Sequence, residues 1–129
     1  MMDALQLRRI ALFSDADDEE LHELGAFAES VEFSERAEII REGDLSRALL
    51  AIEEGTAEVT RGGEHIASLG PGDIFGEAGV LNDAVRNATV TATSPLKLII
   101  MGHLEVQRLK KNAPGIYARI ETLAEERSG

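Results

Sequence analysis

A handful of residues in the middle of the chain have types and spacing suited to holding an anionic ester. Phe75-Gly76-Glu77-Ala78-Gly79-Val80 is followed, after five residues, by Arg86-Asn87-Ala88-Thr89-Val90. Gly76 and Gly79 carry no Cβ, so backbone N–H groups there can come close to a ligand oxygen. A helical first turn over Ala78 to Leu81 would direct unsatisfied N–H groups and a positive dipole end at an anion. Arg86 can donate a forked pair of hydrogen bonds to two phosphate oxygens, a geometry that lysine does not offer. Glu77 repels phosphate, so the role open to it is accepting a hydrogen bond from a sugar hydroxyl. That division of labour suits a ribose cyclic phosphodiester better than a free phosphate or an acidic metabolite. Taken on spacing alone, the same residues also suit an ordinary Gly-Glu turn and a surface arginine paired with a neighbouring acid.

The segment must be held by the elements around it. Ile39-Ile40, Ala48 to Ile52, Ala57 to Arg61, Glu64 to Leu69, Ala88 to Thr93 and Leu96 to Met101 read as strands. Turn residues separate them: Gly43-Asp44, Glu54-Gly55, Gly62-Gly63, Gly70-Pro71-Gly72-Asp73 and Ser94-Pro95. Short strands at this spacing, with Gly-Gly suited to a tight hairpin, predict an antiparallel roll or barrel. Helices flank it. Asp17 is an N-cap residue with Glu20 completing a capping box, and Leu21, Leu24 and Ala28 predict a helical face ending near Glu29. After the strands, His103 to Lys111 reads as a helix, with a break at Asn112-Ala113-Pro114. A last helix then carries a stripe of Ile116, Ile120 and Leu123, with Tyr117 and Ala124 beside it. The expected order is helix, β-roll with a short inserted helix, then two helices. No repeat or linker interrupts residues 1–129, so a single domain is expected.

Composition limits the function. There are no cysteines, so disulfides, thiolate metal sites and cysteine nucleophiles are excluded. The net charge is −11, and Asp15 to Asp44 holds twelve acidic residues against Arg36 and Arg41. Such a surface repels nucleic acid and anionic lipid, so a bound phosphate ester would need a local device to hold it. The N-terminal residues show neither a signal peptide nor a membrane span, which makes a cytoplasmic location the expectation.

The central segment resembles the phosphate-binding cassette of the cyclic nucleotide-binding domain family. That family includes protein kinase A regulatory subunits, the bacterial catabolite activator protein and nucleotide-gated channels. Its pattern is an apolar residue, Gly-Glu, a free position, a small and an apolar residue, then arginine, a small residue and alanine. A second family signature is similar to Ile39-Ile40-Arg41-Glu42-Gly43-Asp44, with Leu49 to Ile52 and Gly55 at the usual distance. The likeness runs from about Leu7 to Arg127, and it implies a mainly β fold, an antiparallel, jelly-roll-like β-roll with flanking helices. It implies that the ligand is cAMP or cGMP, held by Gly76, Glu77, Ala78, Gly79, Arg86, Asn87 and Ala88. Glu77 would hold the ribose 2′-hydroxyl and Arg86 the cyclic phosphate, with backbone amides at Gly79 and Asn87 completing the cage. Tyr117, Ile120 or Leu123 would cover the base. Asn87 stands where the family usually has Ser, Thr or Ala, Val85 replaces a frequent proline, and Ser46 and Ala51 also depart from the pattern. Asn87 leaves the choice between cAMP and cGMP open.

Other functions are disfavoured. His22, His65 and His103 lack metal-ligand spacing, and no nucleophile, Walker or zinc motif occurs, so neither catalysis, a metal nor a separate cofactor is expected. No basic recognition helix follows the last expected helix, so direct DNA binding is not expected. The alternative is an interaction module on the same fold that ignores nucleotide. In either case the expected protein partner is an effector or a second copy of the chain.

Overall fold

The computed structural model describes residues 7, 10, 13, 14, 16–26, 28–43, 48–75 and 88–128, the last six as backbone only. Helix α1 (Asp18–Gly25) is followed by β1 (Glu29–Phe33), β2 (Glu38–Ile40), β3 (Leu49–Glu54), β4 (Ala57–Arg61) and β5 (Glu64–Leu69). Then come β6 (Ile74–Phe75), β7 (Thr89–Ala92), β8 (Leu96–Met101), α2 (His103–Asn112) and α3 (Pro114–Ser128). The strands form two antiparallel sheets, ordered β1-β8-β3-β6 and β2-β7-β4-β5. This is the predicted roll with flanking helices.

The local signals act as expected at several points. The Asp17 carboxylate accepts from the Glu20 amide at 2.7 Å, and the Glu20 carboxylate accepts from the Asp17 amide at 3.3 Å, so the capping box is complete. Gly62 and Gly63 both have positive φ, at 60° and 82°, which is what a two-residue turn joining right-twisted strands requires. Arg61 and Glu64 pair directly across it. Ala113 ends α2, with its amide donating to the Leu109 carbonyl, and Pro114 opens α3, where a missing N–H costs nothing.

Three expectations need correction. The first helix stops at Gly25 rather than near Glu29, because Glu29 is already paired with Ile100 of β8. Ala28 is fully buried as expected, but it lies in the connection, not on the helix. Two strands, β1 and β6, were not among those expected. Both are defined by pairing with a longer neighbour: β1 with β8, and the two residues of β6 with β3.

The central strands of the first sheet, β3 and β8, are buried on both faces, which explains their apolar runs. Along β3, Leu49 and Ala51 join one cluster while Leu50 and Ile52 join another. Along β8, Ile99 and Met101 separate from Leu96 and Leu98 in the same way. The first cluster lies under the helices, with Leu21, Leu24, Val106, Leu109, Ile116 and Ile120. The second fills the roll, with Ile40, Ala57, Val90 and Ala92 from the other sheet. Full burial of each large aliphatic side chain contributes about 1.5–3 kcal/mol, so losing either face would undo the sheet.

Candidate functional site

The roll fixes both ends of the segment singled out in the sequence. Upstream, the Gly70-Pro71-Gly72-Asp73 turn is stapled to β3. The Ile52 amide donates to the Asp73 carbonyl at 2.9 Å, and the Gly72 amide donates to the Ile52 carbonyl at 2.8 Å. The Asp73 carboxylate accepts from the Gly70 amide at 2.8 Å and holds the turn closed. Ile74 and Phe75 then pair with Ala51 and Leu50, and split between the two cores, Ile74 under the helices and Phe75 inside the roll. The chain therefore leaves the first sheet at a rigid point immediately before Gly76.

Downstream, the chain is half-buried at Ala88 and enters the second sheet at Thr89. Strand β7 is central in that sheet, with β2 on one side and β4 on the other. Its first residue is tied in by a side chain as well: Thr89 Oγ1 accepts a hydrogen bond from the Glu42 amide at 3.1 Å. Glu42 Oε1 in turn accepts from the Gly62 amide at 2.6 Å. Gly43, with φ of 88°, lets the chain turn directly after this contact. The turn carrying Glu42 thus spans the ends of β7 and the β4–β5 hairpin.

Gly76, Glu77, Ala78, Gly79, Arg86 and Asn87, together with the expected short helix at Ala78 to Leu81, lie outside the described residues. What is placed is the frame: residues 76–87 connect one sheet to the other. Of the residues expected to cover a base, Ile120 is fully buried in the helical cluster, and Tyr117 packs half-buried against that cluster. Leu123 belongs to α3, but its side chain is outside the described set. The helical cluster lies on the face of the first sheet opposite the roll interior. Ile120 would have to leave that cluster to reach a ligand.

Sequence reasoning did not find the Glu42–Thr89 link. Glu42 belongs to the quoted signature and Thr89 follows the cassette, but nothing in their spacing connects two residues 47 positions apart. The three histidines lie on α1, β5 and α2, and His65 pairs with Glu58 across β4 and β5 at 2.9 Å. No helix among the described residues is long and apolar enough to cross a membrane.

Residues 30–113 match the cyclic nucleotide-binding domain family. A cAMP-dependent protein kinase regulatory subunit from Yarrowia lipolytica is 38% identical over 105 residues, covering 80% of this chain and 28% of that protein. The chain spans about a quarter of the length of the curated relatives it matches. Among solved structures, the Thermus thermophilus catabolite activator protein superposes with a TM-score of 0.82 at 26% identity, covering 90% of this chain and 57% of that one. The cAMP-bound regulatory domain of Toxoplasma gondii protein kinase A superposes with a TM-score of 0.83 at 22% identity, covering 96% of this chain and 48% of that one, a likeness of fold. The matched residues include both ends of the pinned segment and every strand from β2 to β8, and the chain belongs to the cyclic nucleotide-binding domain family.

Proposed function

We propose that this chain binds a cyclic nucleotide, cAMP or cGMP, and serves as a sensor domain that converts binding into a change of shape. The observation that carries this reading is the segment 76–87. It holds Gly76, Glu77, Gly79 and Arg86, and it runs between two rigidly anchored strands in a member of this family. Arg86 neutralises the cyclic phosphate with forked hydrogen bonds, and backbone amides at Gly79 and Asn87 complete the cage. Gly76, Ala78 and Ala88 keep the walls of that cage small enough for close approach. Glu77 accepts from the ribose 2′-hydroxyl. The chain holds the nucleotide without converting it, and neither a metal nor a further cofactor takes part.

Binding biases a two-state equilibrium only through a better fit to one state. In this reading the better-fitting state draws the cassette toward the roll, and α3 repacks so that Tyr117, Ile120 or Leu123 covers the base. An effector protein, or a second copy of the chain, reads that change. The setting is cytoplasmic, where such nucleotides are made.

The test is a pair of calorimetric titrations, one with cAMP and one with cGMP. Saturable binding of at least one nucleotide is expected, and cAMP is tried first because the similar regulatory subunits are cAMP-dependent by name. No heat from either at high micromolar concentration would sink the sensor reading and favour a nucleotide-independent interaction module.

A further inference from the structure

Three chain segments meet at the end of the second sheet where β7 begins. The Glu42 amide donates to Thr89 Oγ1 at 3.1 Å, and the Glu42 carboxylate accepts from the Gly62 amide at 2.6 Å. The ladder between β2 and β7 ends at the Ile40–Val90 pair. Beyond it the Thr89 hydroxyl takes the place of a ladder acceptor, and it extends the connection between the two strands by one bond. On the other side, Thr89 opposes Thr60 at the end of the β4 ladder. The carboxylate crosses to the hairpin that follows β4, and a charged acceptor at this distance makes a strong bond. The β7 terminus is therefore held laterally between its neighbours by a clamp that is neither packing nor ladder.

That terminus lies three residues after Arg86 in the chain, a reach of about 10 Å at full extension. A strand end that frays by one residue displaces a group at that distance enough to misalign a two-point hydrogen bond. We infer that Thr89 is a positioning residue for the nucleotide site, held by Glu42, and that it acts through Arg86 by fixing the strand end from which the arginine is carried. This rests on the cyclic-nucleotide reading above. The hydroxyl is the essential group, because it takes the Glu42 amide. Serine supplies the same acceptor, whereas valine matches the shape of threonine without it.

The experiment is a double-mutant cycle read by calorimetric cAMP affinity in the full chain, with the thermal midpoint of each ligand-free variant recorded alongside. Thr89→Val is expected to weaken binding by about fivefold, the scale of one neutral hydrogen bond, while Thr89→Ser stays within about twofold of wild type. In an Arg86→Lys background, where no fork needs aligning, Thr89→Val should cost less than about twofold, since coupled residues are non-additive. A general loss of stability would instead lower affinity equally in both backgrounds. Thr89→Val binding like wild type, or losing the same factor in both backgrounds, overturns the positioning role alone. If wild type binds neither cAMP nor cGMP, the functional reading fails and the positioning role falls with it.

Discussion

In the proposed site Arg86 and Glu77 would present opposite charges to the same anionic ligand, and their variants should therefore behave differently. Arg86→Ala removes the only forked donor in the segment 76–87 and should weaken cAMP binding by about 2–5 kcal/mol, the usual scale for stranding one partner of a desolvated charge pair. Glu77→Ala loses a hydrogen bond but also a charge that repels phosphate, so a smaller cost of about 1–3 kcal/mol is expected. Calorimetry on both variants checks the ranking. Its sharper form uses 2′-deoxy-cAMP, which wild type should bind more weakly than cAMP and Glu77→Ala should not distinguish from it. An Arg86→Ala protein that binds like wild type places the ligand elsewhere. These two side chains could be proposed from the sequence because each states its chemistry in its own type and in its distance from neighbouring glycines. Glu42 and Thr89 were not, since a glutamate in a turn and a threonine in a strand are ordinary until the fold joins them. Their bond, and that of Glu42 to Gly62, bridge 47 and 20 residues.

At the scale of elements, what could be read was whatever a short stretch decides for itself. Asp17 and Glu20 cap α1, Gly62 and Gly63 make a hairpin, and Pro114 begins α3. Strand β1 was missed because Glu29, Ser30 and Glu32 are exposed and only Val31 and Phe33 turn partly inward, so pairing with β8 makes it a strand. Strand β6 has two residues, too few to show any period. Glu20 also has a contact beyond its own helix that no local pattern announces. Its carboxylate reaches the first turn of α3, where a Cβ built at Gly115 would lie 3.2 Å from Glu20 Oε2. A carboxylate at that helix end is favourably placed against the dipole. Glu20 Oε1 is engaged by the Asp17 amide, but at 3.3 Å that bond is long, so the carboxylate can swing by a few tenths of an ångström without losing it. Gly115→Ala should therefore raise stability by about 0.5 kcal/mol, through loss of freedom in the unfolded chain, as measured by thermal or urea denaturation. A loss of about 1 kcal/mol or more would mean that Glu20 is held too firmly to move.

For the whole molecule, charge and the double core set the conditions under which a ligand arrives and is covered. The net charge of −11 repels an anionic nucleotide at long range, so only the local cassette favours it. Raising ionic strength from about 0.01 M to about 0.15 M shortens the screening length from about 30 Å to about 8 Å. Association of a fluorescent cAMP analogue, followed by stopped flow, should accordingly speed up with salt; slowing would show that the field at Arg86 outweighs the rest of the surface. Covering the base is constrained by the core instead. Ile116 and Ile120 are buried among α1, α2 and the outer face of the first sheet, whereas Tyr117 is only half-buried at the margin of that cluster. A lid built from Ile120 must break packing that holds the helices down, while one built from Tyr117 need not. Tyr117→Ala should thus cost about 1–3 kcal/mol in cAMP affinity, the scale of one aromatic ring stacked on a base. Ile120→Ala should cost about 2–5 kcal/mol in folding stability, the scale of a core cavity. Paired calorimetry and denaturation on the two variants separates these roles. Hydrogen exchange over residues 114–127 should slow with cAMP if α3 closes, and exchange unchanged by ligand, with Tyr117→Ala binding normally, would remove α3 from the ligand's cover altogether.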